Sequence, residues 1–115
     1  IFKPLGKFIK KSGFDYIITP PGTEENSFSE KIAKRLSKAS GIPYRPYFKP
    51  HGTKRRVIRE KFREIVVEKR EEEEKISNKW LFLIDDFAYT RRTLYKTTKA
   101  LEEAGNKVFP AVLFN

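Results

Sequence analysis

Two adjacent carboxylates, Asp85 and Asp86, follow a continuously apolar stretch of the chain, residues 80–84. The turn after them is rich in hydroxyl and guanidinium groups, and it opens a segment with helical periodicity. Because a helix N-terminus offers free backbone N–H groups and a partial positive charge, this turn can bind an anion such as a phosphate. Carboxylates at a strand end suit sugar hydroxyls or Mg²⁺. The candidate phosphate-binding residues are Tyr89, Thr90, Arg91, Arg92 and Thr93.

A purely structural interpretation of the same residues stays open. In that interpretation Asp86 ends the strand, Thr90 caps the following helix, and both arginines of the turn are solvated. The role of a basic stretch upstream is equally open. Its side chains can reach a pyrophosphate or a nucleic-acid backbone, but runs of charged residues are commonly only solvated. Its residues are Lys49, His51, Lys54, Arg55, Arg56 and Arg59.

The composition limits the class of protein. The chain has 115 residues, 38% of them apolar, which supports one globular domain. It has no cysteine and one histidine, so a disulfide framework, a thiolate metal site and a His-rich metal centre are excluded. The apolar runs are too short to span a bilayer. No secretory signal follows Ile1, so we expect a cytoplasmic protein without a membrane partner.

The net charge of +10 favours anionic partners such as phosphorylated metabolites, nucleic acid or an acidic membrane surface. Abundant lysine and glutamate are also typical of a heat-adapted protein with many surface ion pairs. The run of glutamates at 71–74 is expected to be solvated and mobile.

Hydrophobic periodicity and turn residues divide the chain into alternating elements. A capping box of Ser27 and Glu30 opens the best-marked helix, which Gly41 closes. Two prolines limit segment 42–48 to an edge strand or an irregular one. Residues 57–66 fit a helix, although 65–67 fit a short strand equally well. The other predicted helices lie at 2–12 and 94–104, and the predicted strands lie at 14–19, 80–84 and 108–114.

This alternation predicts an α/β fold, a Rossmann-like open parallel sheet flanked by helices on both faces. Ligands of such sheets bind beyond the carboxyl ends of the strands, so the loops after Thr19 and after Ile84 are the expected functional loops. Residues 1–115 then form a single domain, with a mobile basic arm at 49–75 as the candidate cover of the site.

The segment LFLIDDFAYTRRTLYKTTKALEEAGNKVFPAVL resembles the signature of type I phosphoribosyltransferases, in which an apolar strand runs into Asp-Asp, a threonine-rich turn and a helix. Upstream, FDYIITPP resembles the first core strand and its loop, and NSFSEKIAKRLSKASGIPY resembles the next helix and strand of the competence-associated ComF-like branch. The resemblance covers residues 14–114. It implies a phosphoribosyltransferase-type core that binds phosphoribosyl pyrophosphate with Mg²⁺.

The resemblance also assigns roles to particular residues. Asp85 and Asp86 match the catalytic acidic pair that meets the ribose hydroxyls and, more weakly, the metal. Thr90 and Thr93 match threonines that hold the 5′-phosphate, so the turn from Tyr89 to Thr93 is the phosphate loop. The pyrophosphate-side loop is Pro20, Pro21, Gly22 and Thr23.

The phosphate loop departs from the family pattern at two positions. Tyr89 stands where threonine is usual, and Arg91 stands where glycine is usual. Glycine lets the backbone approach a phosphate closely, and a Cβ obstructs that approach. The Arg91 guanidinium can instead supply a bidentate, charge-assisted contact.

Three functions follow from these observations. The first is an enzyme that transfers phosphoribosyl from phosphoribosyl pyrophosphate, or acts on a nucleoside 5′-phosphate, with an acceptor base that the sequence does not identify. The second is an inert protein of this fold that binds nucleic acid or senses a nucleotide. The third is an assembly subunit, as a homodimer or in a larger complex.

Overall fold

The computed structural model describes residues 2–22, 27–50, 67–87 and 92–114, and within them the chain forms three α-helices and three β-strands. The elements in chain order are α1 (Phe2–Ser12), β1 (Tyr16–Ile18), α2 (Phe28–Ser40), β2 (Trp80–Phe87), α3 (Arg92–Glu103) and β3 (Lys107–Phe114). The predicted order of helices and strands is therefore confirmed over the described residues. None of the helices in these ranges is both long enough and apolar enough to cross a membrane.

The three strands form one parallel sheet in the order β1-β2-β3. Ile17 lies opposite Phe82 in the first pair of strands. Beyond β1, the extended segment 43–45 follows its free edge: the Ile17 N–H donates to the Pro43 carbonyl at 2.9 Å, and the Arg45 N–H donates to the Ile17 carbonyl at 2.9 Å. The prolines thus leave this segment with a short, irregular pairing at the sheet edge, as predicted.

The chain changes direction across the sheet between β1 and β2. From β1 the chain passes through α2 and returns at 43–45 on one side of β1, whereas β2 lies on the other side. Such a reversal of strand order opens a crevice at the carboxyl ends of the two strands, which is where open α/β sheets bind ligands. The loop after β1 and the end of β2 both lie at this edge.

Helices cover both faces of the sheet, and alternate residues of β2 point to opposite sides. Phe82 and Ile84 pack with the apolar side of α1 and α2. Leu81 and Leu83 pack with Leu101 of α3. All four of these β2 side chains are at most 1% exposed. A strand apolar on both faces is what a covered parallel sheet requires, so the pattern at 80–84 was diagnostic.

The ends of α2 are fixed by the residues that predicted them. The Glu30 N–H donates to the Ser27 side-chain oxygen at 3.3 Å, which satisfies one of the free donors of the first turn. At the other end Gly41 adopts the left-handed conformation, with φ of 78°, and its N–H donates to the Ser37 carbonyl at 2.8 Å. Both contacts confirm the predicted boundaries of this helix.

Two predicted boundaries are corrected. The strand at 80–84 continues through Asp85 and Asp86 to Phe87, because β3 stays extended and pairs with it as far as Phe114. The carboxylate pair therefore belongs to the last part of β2 and does not terminate it. At β1 the strand is shorter than predicted and comprises three residues of 14–19.

The segment 67–75, which we predicted as part of a mobile arm, pairs with the chain at 47–49. The Lys49 N–H donates to the Glu68 carbonyl and the Arg70 N–H donates to the Tyr47 carbonyl, both at 2.8 Å. The prediction that residues 71–74 are all solvated is wrong for Glu73, because Arg45 donates to its carboxylate through Nε at 3.0 Å and Nη2 at 2.9 Å. The predicted helix at 57–66 lies outside the described residues.

Candidate functional site

Asp85 lies in the last part of β2 and is held by two donors. The Ser29 hydroxyl of α2 donates to Asp85 Oδ1 at 3.1 Å, and the Asp86 N–H donates to the same oxygen at 2.9 Å. The Asp86 N–H also lies 3.3 Å from Ser29 Oγ. The first turn of α2, in which Ser29 is 8% exposed, is thereby joined to the end of β2.

The environment of Asp85 disfavours its charged form. The pKa of this carboxyl is raised to about 6, chiefly by burial and in addition by a side-chain hydrogen bond with Asp86 and the negative charge of Asp86. The hydrogen bonds from the Asp86 N–H and the Ser29 hydroxyl act in the opposite direction, because they favour the ionised form. A partly desolvated carboxylate beside a second one is a common arrangement at functional sites.

The loop after β1 begins beside this pair. Pro20 and Pro21 are buried and Gly22 is half-buried. Ile18, the last residue of β1, lies opposite Leu83, which precedes Asp85 by two positions in β2. The fold thus brings three members of the predicted pyrophosphate-side loop to the edge that carries the acidic pair, while the fourth, Thr23, lies outside the described residues.

A tyrosine hydroxyl also reaches the end of β1. Thr19 is 6% exposed, and its Oγ1 lies 3.2 Å from the hydroxyl of Tyr44, within hydrogen-bonding distance. This contact joins the loop after β1 to the extended segment at the sheet edge.

The predicted phosphate loop is described only at its end. Arg92 is the first residue of α3 and is exposed, and Thr93 is half-buried. The Thr93 carbonyl accepts from the Thr97 hydroxyl at 2.7 Å, an ordinary contact within a helix. The other candidates of this loop, Tyr89, Thr90 and Arg91, lie outside the described residues, as do His51, Lys54, Arg55, Arg56 and Arg59 of the basic stretch.

Asp85 and Asp86 alone provide fewer ligands than a metal ion needs. Within the described ranges no three His, Cys, Asp or Glu side chains cluster so as to hold a metal ion. Two carboxylates are nevertheless the oxygen donors that Mg²⁺ prefers, and Mg²⁺ commonly takes its other ligands from substrate phosphates and water. The residues present therefore fit Mg²⁺ carried with a phosphorylated ligand, for which Asp85 and Asp86 would be the protein ligands.

Sequence reasoning missed Ser29 as part of the site. Its contact with Asp85 joins residues 56 positions apart, so no local pattern predicts it. Ser29 could have been identified only from its place at the start of α2, because the helix that follows the loop after β1 must begin at the carboxyl edge of the sheet. A groove of about 320 Å³ lies elsewhere and includes none of the predicted site residues; it is lined by Val67, Tyr95, Lys96, Lys99, Ala100 and Glu103.

Comparison with known proteins finds a solved structure with a similar fold. No protein-family model matches the sequence, and no curated protein matches it. A solved structure of a hypothetical protein from Neisseria gonorrhoeae with bound ppGpp is similar over 97% of this chain, with a TM-score of 0.58 and 19% sequence identity. The chain covers 63% of that protein's length. At this identity the likeness shows a shared α/β fold.

Proposed function

We propose that this domain binds phosphoribosyl pyrophosphate or a nucleoside 5′-phosphate at the carboxyl end of β2 and transfers the phosphoribosyl group to an acceptor. The observation that carries the proposal is the carboxylate pair Asp85–Asp86, fixed by Ser29 at the crevice between β1 and β2. A pair at that position can accept hydrogen bonds from the two ribose hydroxyls. The neighbour with bound ppGpp supports a nucleotide as the class of ligand.

The proposed reaction breaks the bond between the ribose anomeric carbon and the pyrophosphate oxygen, and a nucleophile of the acceptor forms the new bond at that carbon. Positive charge develops on the ribose ring in the transition state, so an ionised carboxylate close to the ring would stabilise it. Mg²⁺ bound with the substrate would neutralise charge on the departing pyrophosphate. By the resemblance to type I phosphoribosyltransferases, the loop with Pro20, Pro21 and Gly22 would face that pyrophosphate.

A second candidate is a domain of the same fold that binds a nucleotide without turnover. Arg91 at the position where the family has glycine favours it, because a side chain there changes how a phosphate can approach the loop. The bound ppGpp of the structural neighbour is consistent with this candidate too. Both candidates use the same acidic pair and differ in whether the pyrophosphate leaves.

Calorimetric titration of phosphoribosyl pyrophosphate tests the proposal, first with Mg²⁺ and then with EDTA. We expect saturable binding that needs Mg²⁺ and is lost in Asp85→Asn/Asp86→Asn. The matched control is Glu71→Gln/Glu72→Gln, which removes two adjacent, exposed carboxylates away from the site. Unchanged affinity in the Asp85/Asp86 variant would refute the site.

Release of pyrophosphate separates the two candidates. The protein is incubated with phosphoribosyl pyrophosphate, Mg²⁺ and a panel of purine and pyrimidine bases, and free pyrophosphate is measured. Base-dependent release that the Asp85/Asp86 variant lacks supports transfer. Tight binding of phosphoribosyl pyrophosphate or ppGpp without release by any base supports the second candidate.

A further inference from the structure

The outer surfaces of α1 and α2 together form a strongly basic surface, here called the basic face. The inner sides of the two helices carry Ile9, Ile32 and Leu36, which are buried against the sheet. The opposite sides carry eight exposed cations: Lys3, Lys7, Lys10, Lys11, Lys31, Lys34, Arg35 and Lys38. About a third of the lysines and arginines of the chain thus lie on two helices.

Negative charge is scarce among the residues of α1 and α2 themselves. Glu30 is the one acidic residue in the sequences of α1 and α2, and its side chain is 13% exposed and lies 3.8 Å from Arg70 Nη2. Networks of surface ion pairs need both signs of charge on the same surface. This face therefore does not fit the heat-adapted interpretation of the composition. Charges of one sign repel each other, and a polyanionic partner relieves that repulsion.

The cations are also regularly spaced. Residues three or four positions apart on a helix are neighbours about 5–6 Å apart, so each helix presents a row of lysines along one side. The rows are Lys3, Lys7 and Lys10 on α1, and Lys31, Lys34 and Lys38 on α2. The helices meet closely at Gly6, where a Cβ would lie 2.8 Å from Ala39 Cβ. This contact fixes the rows relative to each other as parts of one surface.

An anionic membrane is a poorer partner than a nucleic acid. A helix that lies on a membrane buries an apolar side between the lipid headgroups. The apolar side of α1 is already used within the protein, because Ile9 is fully buried and Leu5 packs on the same core.

A nucleic-acid duplex fits better than a single strand, because single-strand binding relies on aromatic rings on which bases stack. The aromatic side chains of α1 make contacts within the protein, although Phe8 stays 42% exposed. The Phe2 ring lies under the Arg35 guanidinium, 4.3 Å from it. The Phe8 ring packs on Phe14 and Phe109, with ring centres 6.3 and 5.6 Å apart. The cations of α2 have no aromatic residue between them.

From this geometry we infer that the basic face binds the phosphate backbone of double-stranded nucleic acid without reading the base sequence. Rows of lysines contact phosphates as point charges, and the affinity then comes from the release of counterions. The inference does not depend on the function proposed for Asp85 and Asp86, which lie at the end of β2.

The test is fluorescence anisotropy of a labelled DNA duplex of about two helical turns, titrated at several salt concentrations. With about six phosphate contacts, we expect log K to fall with log[salt] with a slope of about −5. Lys3→Gln/Lys7→Gln/Lys10→Gln should reduce the magnitude of the slope by about 3 and weaken binding on the order of 100-fold at about 0.1 M salt. The same three changes to arginine should preserve binding.

The charge-matched control is Lys75→Gln/Lys96→Gln/Lys99→Gln, in which two of the three exposed lysines belong to α3 on the other face of the sheet. We expect this control to retain the slope and the affinity, and circular dichroism confirms that both variants fold. Equal losses in the two variants would overturn the inference, because net charge alone would explain binding. Tighter binding of the single strand, or of phosphatidylserine vesicles in the absence of duplex binding, would overturn it as well. Asp85→Asn/Asp86→Asn should leave duplex binding intact, so failure here is distinct from failure of the proposed function.

Discussion

Replacing Asp85 by Asn should stabilise the protein near neutral pH. The pKa of this carboxyl is raised from its ordinary value of 3.8 to about 6, so the folded state disfavours its ionised form. Asparagine has nearly the same shape and lacks the charge. Its side-chain oxygen can still accept from the Ser29 hydroxyl and from the Asp86 N–H.

The magnitude follows from the size of the pKa rise. A rise of about 2 units corresponds to about 3 kcal/mol of unfavourable free energy when Asp85 is ionised in both the folded and unfolded states. The carboxyl keeps part of its solvent contact, so we expect a gain of about 1–3 kcal/mol for Asp85→Asn at pH 7.5. For a chain of this size that is an increase in Tm of roughly 4–12 °C.

The stabilisation by Asp85→Asn should also depend on pH, and the raised pKa fixes the direction of that dependence. Well above pH 6 the folded protein carries the full penalty of the charge. Between pH 6 and the ordinary pKa the folded state takes up a proton before the unfolded state does, so the penalty disappears as the pH falls. Wild type and Asp85→Asn should therefore converge in stability at about pH 3, below the ordinary pKa of 3.8, where the carboxyl is largely neutral in both states.

Urea unfolding of both proteins at several pH values between about 3 and 8 measures this difference directly. The control is Glu72→Gln, which removes an exposed carboxylate and should change the free energy of unfolding by less than about 0.5 kcal/mol at every pH. A difference between wild type and Asp85→Asn that does not vary with pH would refute the reasoning, and so would a less stable Asp85→Asn at pH 7.5.

Two other substitutions probe the scaffold that positions the site. Gly6→Ala should destabilise the protein by about 1 kcal/mol, because the overlap with the Cβ and backbone of Ala39 outweighs the better helix propensity of alanine; urea unfolding measures this, and a Gly6→Ala variant as stable as wild type would contradict the close approach of the two helices. Asn106→Ala should cost about 2–4 kcal/mol, because its buried amide accepts from the Lys79 N–H and donates to the carbonyls of Ile76 and Leu101. Amide exchange should show faster exchange at Lys79, and unchanged exchange there would contradict this role.

The helices and strands were largely predictable, because the signals that define them are local. The Ser27 side chain and Gly41 act on the residues next to them, and the apolar run at 80–84 records burial on both faces of one strand. The end of β2 was not predictable from its own residues, because Asp85 and Asp86 are unusual strand residues. The backbone partner that keeps them extended is β3, more than 20 positions later.

Side-chain contacts between distant parts of the chain could not be predicted either, because local sequence patterns do not identify a partner far away in the sequence. Arg45 and Glu73 are 28 positions apart, and a run of four glutamates gives no sign of which one will face an arginine. Likewise, the row spacing of lysines on α1 and α2 is visible in the sequence. That the two rows share one surface follows only from the packing of the helices at Gly6.

The raised pKa of Asp85 predicts how a ligand bound at the end of β2 would change the stability of the protein. A carboxylate that destabilises the folded state is retained where function requires it, as functional sites commonly trade stability for activity. A ligand that donates hydrogen bonds to ionised Asp85 lowers its pKa and removes the penalty, so the bound protein gains stability beyond the contacts of the ligand alone. The stabilisation by a bound ribose phosphate should therefore be larger for wild type than for Asp85→Asn. If Asp85 binds no ligand, its effect on stability should still depend on pH, but ribose phosphate should stabilise wild type and Asp85→Asn equally. The two measurements together therefore distinguish a ligand-binding carboxylate from one that is merely buried.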